Sequence, residues 1–308
     1  MKYCAPMRSP SHALPALLCL LLAPLAHARA PSEGAAQTAA GCPAERRVRF
    51  DPAKWVKQLR TADDVEGLQS LLTRVGLEPI DATCPEGAGE RPWFSAVNAF
   101  DARIDPQARA VRVVNVLGGL CAEKPASISE AAPEFQRGAV FVAIGKGEWC
   151  RLDAPFLNAQ GSGWGPSLCV PTVFGFESLV SPDHKALAVT EKQEWCGGSG
   201  SSRGDSEWRG YYEVRGFALH ELLRLQLREG RYHTGAGVGL ETVRRVTMKG
   251  EPPKLIEVQM KRTCLTDDAE KGAPGEQTHP LAESYACTPA QARSVFRYRD
   301  GRYQEEAP

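Results

Sequence analysis

Between residues 222 and 228, Leu223, Leu225 and Leu227 alternate with Arg224, Gln226 and Arg228. A helix would scatter both sets around its circumference, whereas a strand, with its period of two, puts the leucines on one face and the polar residues on the other. The alternation recurs in Ile256, Val258 and Met260 against Glu257, Gln259 and Lys261. It returns in Phe296 and Tyr298 against Arg297 and Arg299, after which Asp300-Gly301 supplies a two-residue hairpin turn before Tyr303. Other strand-turn-strand units are read at Phe141-Val142 through Lys146-Gly147, at Phe174 to Leu179 through Ser181-Pro182-Asp183, and at Lys249-Gly250 into Pro252-Pro253. Gly235 to Gly239 reads as one more hairpin connection. Hairpins in series predict a mainly β fold, an antiparallel meander that is sandwich-like, with a propeller-like arrangement as the alternative.

The propeller alternative comes from an internal likeness. Residues 140–150 (VFVAIGKGEWC) and 186–196 (ALAVTEKQEWC) both run from an apolar strand through Lys to Glu-Trp-Cys, which predicts a repeated hairpin carrying a cysteine on its second strand. Trp149 and Trp195 in these segments read as core residues packing on disulfides.

The period is helical only near the start. Asp51-Pro52 offers a cap with proline at the first helical position, and Trp55, Val56 and Leu59 share a face. Thr61 is read as the cap of a second helix, with Val65, Leu68, Leu72 and Val75 as its stripe and Gly76 as its stop. The chain therefore divides into a signal peptide (1–30), a flexible lead-in (31–50), a short helical segment (51–89) and a disulfide-stapled β domain (90–304).

Lys2 and Arg8 followed by the apolar run Ala13 to Ala26 form a secretory signal, with small-residue cleavage patterns ending at Ala28 and Ala30. Export to the periplasm or the extracellular space follows, with no membrane span after signal removal. Cleavage removes Lys2, Arg8 and Arg29 and no acid, so a balance of 37 basic against 37 acidic residues becomes a slight acidic excess. That charge gives no footprint for nucleic acid. Cys4 and Cys19 leave with the signal, and Cys42, Cys84, Cys121, Cys150, Cys169, Cys196, Cys264 and Cys287 remain. An even set without a Cys-x-x-Cys pair, in an exported chain, predicts structural disulfides rather than a metal or redox site. The near neighbours Cys150 with Cys169 and Cys264 with Cys287 are the expected pairs.

Candidate chemistry is sparse. His220-Glu221 opens like a zincin motif, but Arg224 stands where the second imidazole ligand belongs, so no metal and no cofactor is expected. On the strand alternation His220 falls on the polar face with Arg224. Gly204-Asp205-Ser206 makes Ser206 the candidate nucleophile of a secreted serine hydrolase, with His220 or His233 as its base, and Gly197 to Ser206 otherwise reads as a surface loop. Arg203-Gly204-Asp205 in that stretch is an integrin-type tripeptide. Trp164 among glycines and the pair Tyr211-Tyr212 are candidate ligand platforms for a sugar ring or a protein. The favoured reading is an exported non-catalytic binding or structural protein whose partner is a protein or carbohydrate at the cell surface, with a serine hydrolase and a protease or lysozyme inhibitor as alternatives.

Overall fold

The computed structural model describes residues 41–80, 92–120, 134–160, 172–194, 202–233, 238–266 and 288–306. Residues 1–30, read above as a signal peptide, lie outside them, as do Trp164, Trp195 and five of the eight later cysteines: Cys84, Cys121, Cys169, Cys196 and Cys287. The described chain is mainly β, with a short helical region before two antiparallel sheets.

The first sheet comprises β1 (Arg47–Arg49), β2 (Trp93–Ala102), β3 (Val111–Gly119), β4 (Phe135–Gly145), β5 (Glu148–Leu152) and β6 (Ala159–Gln160). Its order is β1-β5-β4-β3-β2, with β6 beside β4. Residues 41–50 are therefore not a loose lead-in. Val48 pairs with Trp149, and Cys150 is disulfide-bonded to Cys42, not to Cys169. Spacing favoured Cys169 for Cys150, but pairing β1 with β5 puts the Cys42 and Cys150 Cα atoms 5.8 Å apart, within disulfide reach. Cys264 is disulfide-bonded too, with its partner outside the described residues.

Two helices cover one face of this sheet. In α1 (Pro52–Arg60) the Asp51 carboxylate accepts the Lys54 N–H at 3.0 Å, and the buried Trp55 indole donates to the Leu71 carbonyl at 2.9 Å. Helix α2 (Val65–Arg74) is capped by Asp64, whose carboxylate accepts the Gly67 N–H, and not by Thr61. Thr61 instead closes α1, its hydroxyl donating to the Lys57 and Gln58 carbonyls. Trp55, Leu59, Leu68 and Leu72 pack on Val97, Val114, Val116 and Phe141. Strand β4 is buried along most of its length because its other face is covered as well.

That cover is the second sheet: β7 (Val173–Glu177), β8 (Ala186–Glu194), β9 (Ser202–Arg215), β10 (Ala218–His233), β11 (Val238–Lys249), β12 (Leu255–Thr266), β13 (Ala290–Arg299) and β14 (Arg302–Glu305), each paired with the next. Val113, Val140, Val142 and Leu152 of the first sheet pack on Leu187, Val189, Tyr212 and Val214 of the second. The two sheets form a sandwich, and one run of eight strands in sequence leaves no blade for a propeller. The second sheet also curls around a further core, in which Ala186, Ala188 and Tyr211 meet Leu223, Ile256 and Tyr303. Tyr303 ties the curl by donating its hydroxyl to the Leu179 carbonyl at 3.0 Å.

The hairpins at Lys146-Gly147 and Asp300-Gly301 form where the sequence places them, and both residues of the second turn take positive φ, as a two-residue turn of this hand requires. The internal likeness does not survive. Residues 140–150 cross a hairpin from β4 into β5, whereas 186–194 form one straight strand.

Candidate functional site

Two places gather functional groups: a polar corner of the curled sheet, and a groove beside β2.

The corner forms where the β9–β10 hairpin meets the β13–β14 hairpin. Glu213 is two residues from the end of β9 with its side chain only 3 % exposed. Its carboxylate accepts Arg215 Nε–H at 2.6 Å and His184 Nε2–H at 3.2 Å. Arg215 also donates to the Gly301 carbonyl at 2.6 Å and to the Tyr298 hydroxyl at 3.2 Å. His220 donates from Nε2 to the same Gly301 carbonyl at 3.2 Å. Burial, and then the Arg215 charge, hold the His220 pKa below its ordinary value.

His220 is thus not on the polar face with Arg224. A β-bulge explains the difference. Glu221 pairs with Tyr212 and Leu223 with Tyr211, so Leu222 is an extra residue in β10 and the alternation slips by one. Leu222 and Leu223 both enter the inner core, and His220 shares its side of the sheet with its partner Glu213. Arg224 points the other way, over the Trp208 ring and bonded to Glu191.

A histidine oriented by a buried carboxylate is half of a general-base unit, and the other half is a nucleophile within reach. Ser206 does not supply it. On β9 it pairs with Glu229, seven residues before Glu213, a distance of about 23 Å at strand rise. By alternation it also faces the opposite side of the sheet from Glu213. His233 pairs with Ser202, four residues along β10 from Glu229, about 13 Å away. Neither candidate base is therefore brought to Ser206. Gly204 to Ser206 lies inside β9 and not in a loop, and Asp205 of the Arg-Gly-Asp tripeptide sits 3.4 Å from Arg228.

The tyrosine pair is buried as well. Tyr211 lies in the inner core and Tyr212 stacks on Phe156 between the sheets, with ring centroids 4.7 Å apart, so neither offers a face to a ligand. Burial pushes the Tyr212 hydroxyl up to about 12 and raises that of Tyr211. Among the described residues no cluster of His, Cys, Asp and Glu is arranged to hold a metal ion.

The groove is the feature that the sequence reading missed. Strand β2 is the last in its sheet and, among the described residues, pairs only with β3. A hollow of about 730 Å³ lies between Pro92 with the β2 residues Trp93–Asn98 on one side and the α1–α2 junction, Arg60–Asp63, on the other. A second, of about 880 Å³, continues past Asn98 and Ala99 to Asp51, Lys146 and Arg112. Arg60, Val97 and Asn98 line both, so the two meet there; the first follows the β2 edge, and the second leads across the sheet past Arg112 of β3 and the β4–β5 turn to Arg49 of β1. Arg60 Nη2 donates to the Val97 carbonyl at 2.8 Å. That carbonyl therefore points away from β3. In an antiparallel ladder the N–H and C=O of one residue point the same way, so Val97 and, two residues on, Ala99 turn their backbone groups outward.

No family model, no curated protein and no solved structure matches the chain.

Proposed function

We propose that this chain is an exported, non-catalytic binding protein that engages a protein partner along the β2 groove. The edge of β2, unpaired on one side among the described residues, with Arg60 beside it, carries this reading. An edge strand is a template for another chain unless it is blunted by Pro, Lys, a bulge or a covering element, and β2 beyond its bulge at Ser95 (AVNAFDA) contains neither Pro nor Lys. Export is supported by the signal pattern of residues 1–30 and by the Cys42–Cys150 disulfide, a bond that persists in oxidising compartments. A protein is favoured over a carbohydrate because Tyr211 and Tyr212 are buried instead of presenting rings.

Two measurements test the reading. Full-length protein is expressed with a C-terminal tag and fractionated, and the recovered chain is sequenced from its N-terminus and exposed to a fluorophosphonate probe. The reading predicts a periplasmic or extracellular chain, cut after Ala28 or Ala30, that the probe does not label. A cytoplasmic chain with reduced Cys42 and Cys150, or labelling at Ser206, overturns it.

A further inference from the structure

The geometry points to strand addition at β2 by an extended segment of another protein that carries an aspartate or glutamate facing Arg60. This inference rests on the reading above and names the chemistry of its partner.

Consider first what an incoming strand meets. Val97 and Ala99 offer outward N–H and C=O groups, and an antiparallel or parallel segment laid along them bonds to both. A bulge at Ser95 interrupts the ladder, so the regular edge beside the hollow runs from Ala96 to Ala99, about 13 Å of strand, which seats a segment of about four residues.

Charge selects the sequence of that segment. Arg60 and Asp63 are the charged residues that line the hollow at the β2 edge, whereas Arg49, Arg112 and Lys146 lie in the second hollow, on the β3 side of the strand. Arg49 is paired with Glu148 and Arg112 with Asp101, and Asp51 is committed to capping α1. Arg60 has no carboxylate partner among the described residues, and neither does Lys146. The remaining acid, Asp63, sits at the α2 end of the first hollow.

Arg60 also makes the edge discriminate. In the free protein its guanidinium occupies the Val97 carbonyl that an added strand needs. An incoming N–H replaces it there, and the displaced guanidinium loses a charge-assisted bond. A carboxylate on the incoming segment restores that loss with a bidentate pair, whereas an amide or an apolar side chain does not. Arg60 thus holds the edge closed until an acidic strand arrives.

The test is a selection of random linear heptapeptides displayed on phage against the immobilised, disulfide-intact mature chain. Enriched sequences are then made as capped peptides, each with a counterpart in which Gln or Asn replaces the acid. Enriched peptides are expected to carry an acid, and to slow amide exchange at Val97 and Ala99. Ala99→Pro is expected to weaken them at least about tenfold, since proline removes an outward N–H that β3 does not use. Arg60→Gln is expected to weaken the acidic peptide about tenfold and to strengthen the amide counterpart, which no longer displaces a guanidinium from the Val97 carbonyl. This variant keeps the test open if Ala99→Pro does not fold. An absence of enrichment, enrichment of peptides without an acid, or binding indifferent to both variants overturns the inference. These failures differ from failure of the functional reading, which shows as probe labelling or cytoplasmic retention.

Discussion

Replacing Cys42 and Cys150 together by alanine removes a cross-link that spans 108 residues. In the chain-entropy picture, opening a loop of that length frees the unfolded state by about 5 kcal/mol at 25 °C. Both sulfurs are buried between the sheets, so their loss adds a smaller packing cost of the same sign. For a domain of this size the sum lowers Tm by roughly 10 to 20 °C. The double variant is the right perturbation, because a reductant would also open the Cys264 disulfide. Urea unfolding of the oxidised wild type and the variant, followed by circular dichroism, gives the comparison. A lowered midpoint with a slope that rises, because the uncross-linked unfolded chain is more expanded, supports the reasoning. A change below about 1 kcal/mol refutes it, since β1 would then be held to β5 without the bond.

Further predictions concern the polar corner. His220 faces Glu213, Arg215 and Arg302 as well as the Gly301 carbonyl, and its depressed pKa means that the unfolded chain binds its proton more readily than the folded one. Its contribution to stability is therefore full above the ordinary histidine value of 6.5 and lost as pH falls through the folded-state pKa. Thermal melts from pH 7.5 down to 5 should show a decline that is smaller in His220→Gln, and an equal decline in both proteins contradicts the assignment. Glu213→Ala leaves Arg215 and His184 without their shared acceptor and should cost about 2 to 3 kcal/mol in urea unfolding, a value at the low end for a broken buried pair because Arg215 is one-third exposed. Tyr303→Phe, which deletes the hydroxyl bond to Leu179, should cost about 1 kcal/mol, because the Leu179 carbonyl keeps the Lys254 N–H as a donor.

Local signals gave much of this fold and little of its site. The alternation of Leu223, Leu225 and Leu227 and the Asp300-Gly301 turn were legible because a strand's period and a tight turn's backbone are set by neighbouring residues. The same holds for the Asp51-Pro52 start of α1. The bulge at Leu222 was not legible, since nothing in Glu221-Leu222-Leu223 marks which residue is left unpaired until β9 is laid alongside. That single slip carried His220 from the solvated face to the inner one, and with it hid Glu213 as the centre of a polar cluster. Cysteine spacing favoured neighbours, but the β1–β5 pairing joined Cys42 to Cys150 across 108 residues. Whether a strand is central or last is likewise a property of the whole sheet. For that reason nothing within Trp93–Ala102 marks it as the last strand of its sheet.

Residue-resolved hydrogen exchange of the free, disulfide-intact protein tests the central claim most directly, because it asks whether the β2 edge is open. The account predicts an alternating pattern: slow exchange at Asn98 and Phe100, whose N–H groups face β3, and fast exchange at Val97 and Ala99, whose N–H groups face outward. Protection at Val97 and Ala99 equal to that at Asn98 and Phe100 would mean that the edge is already covered, and would contradict it.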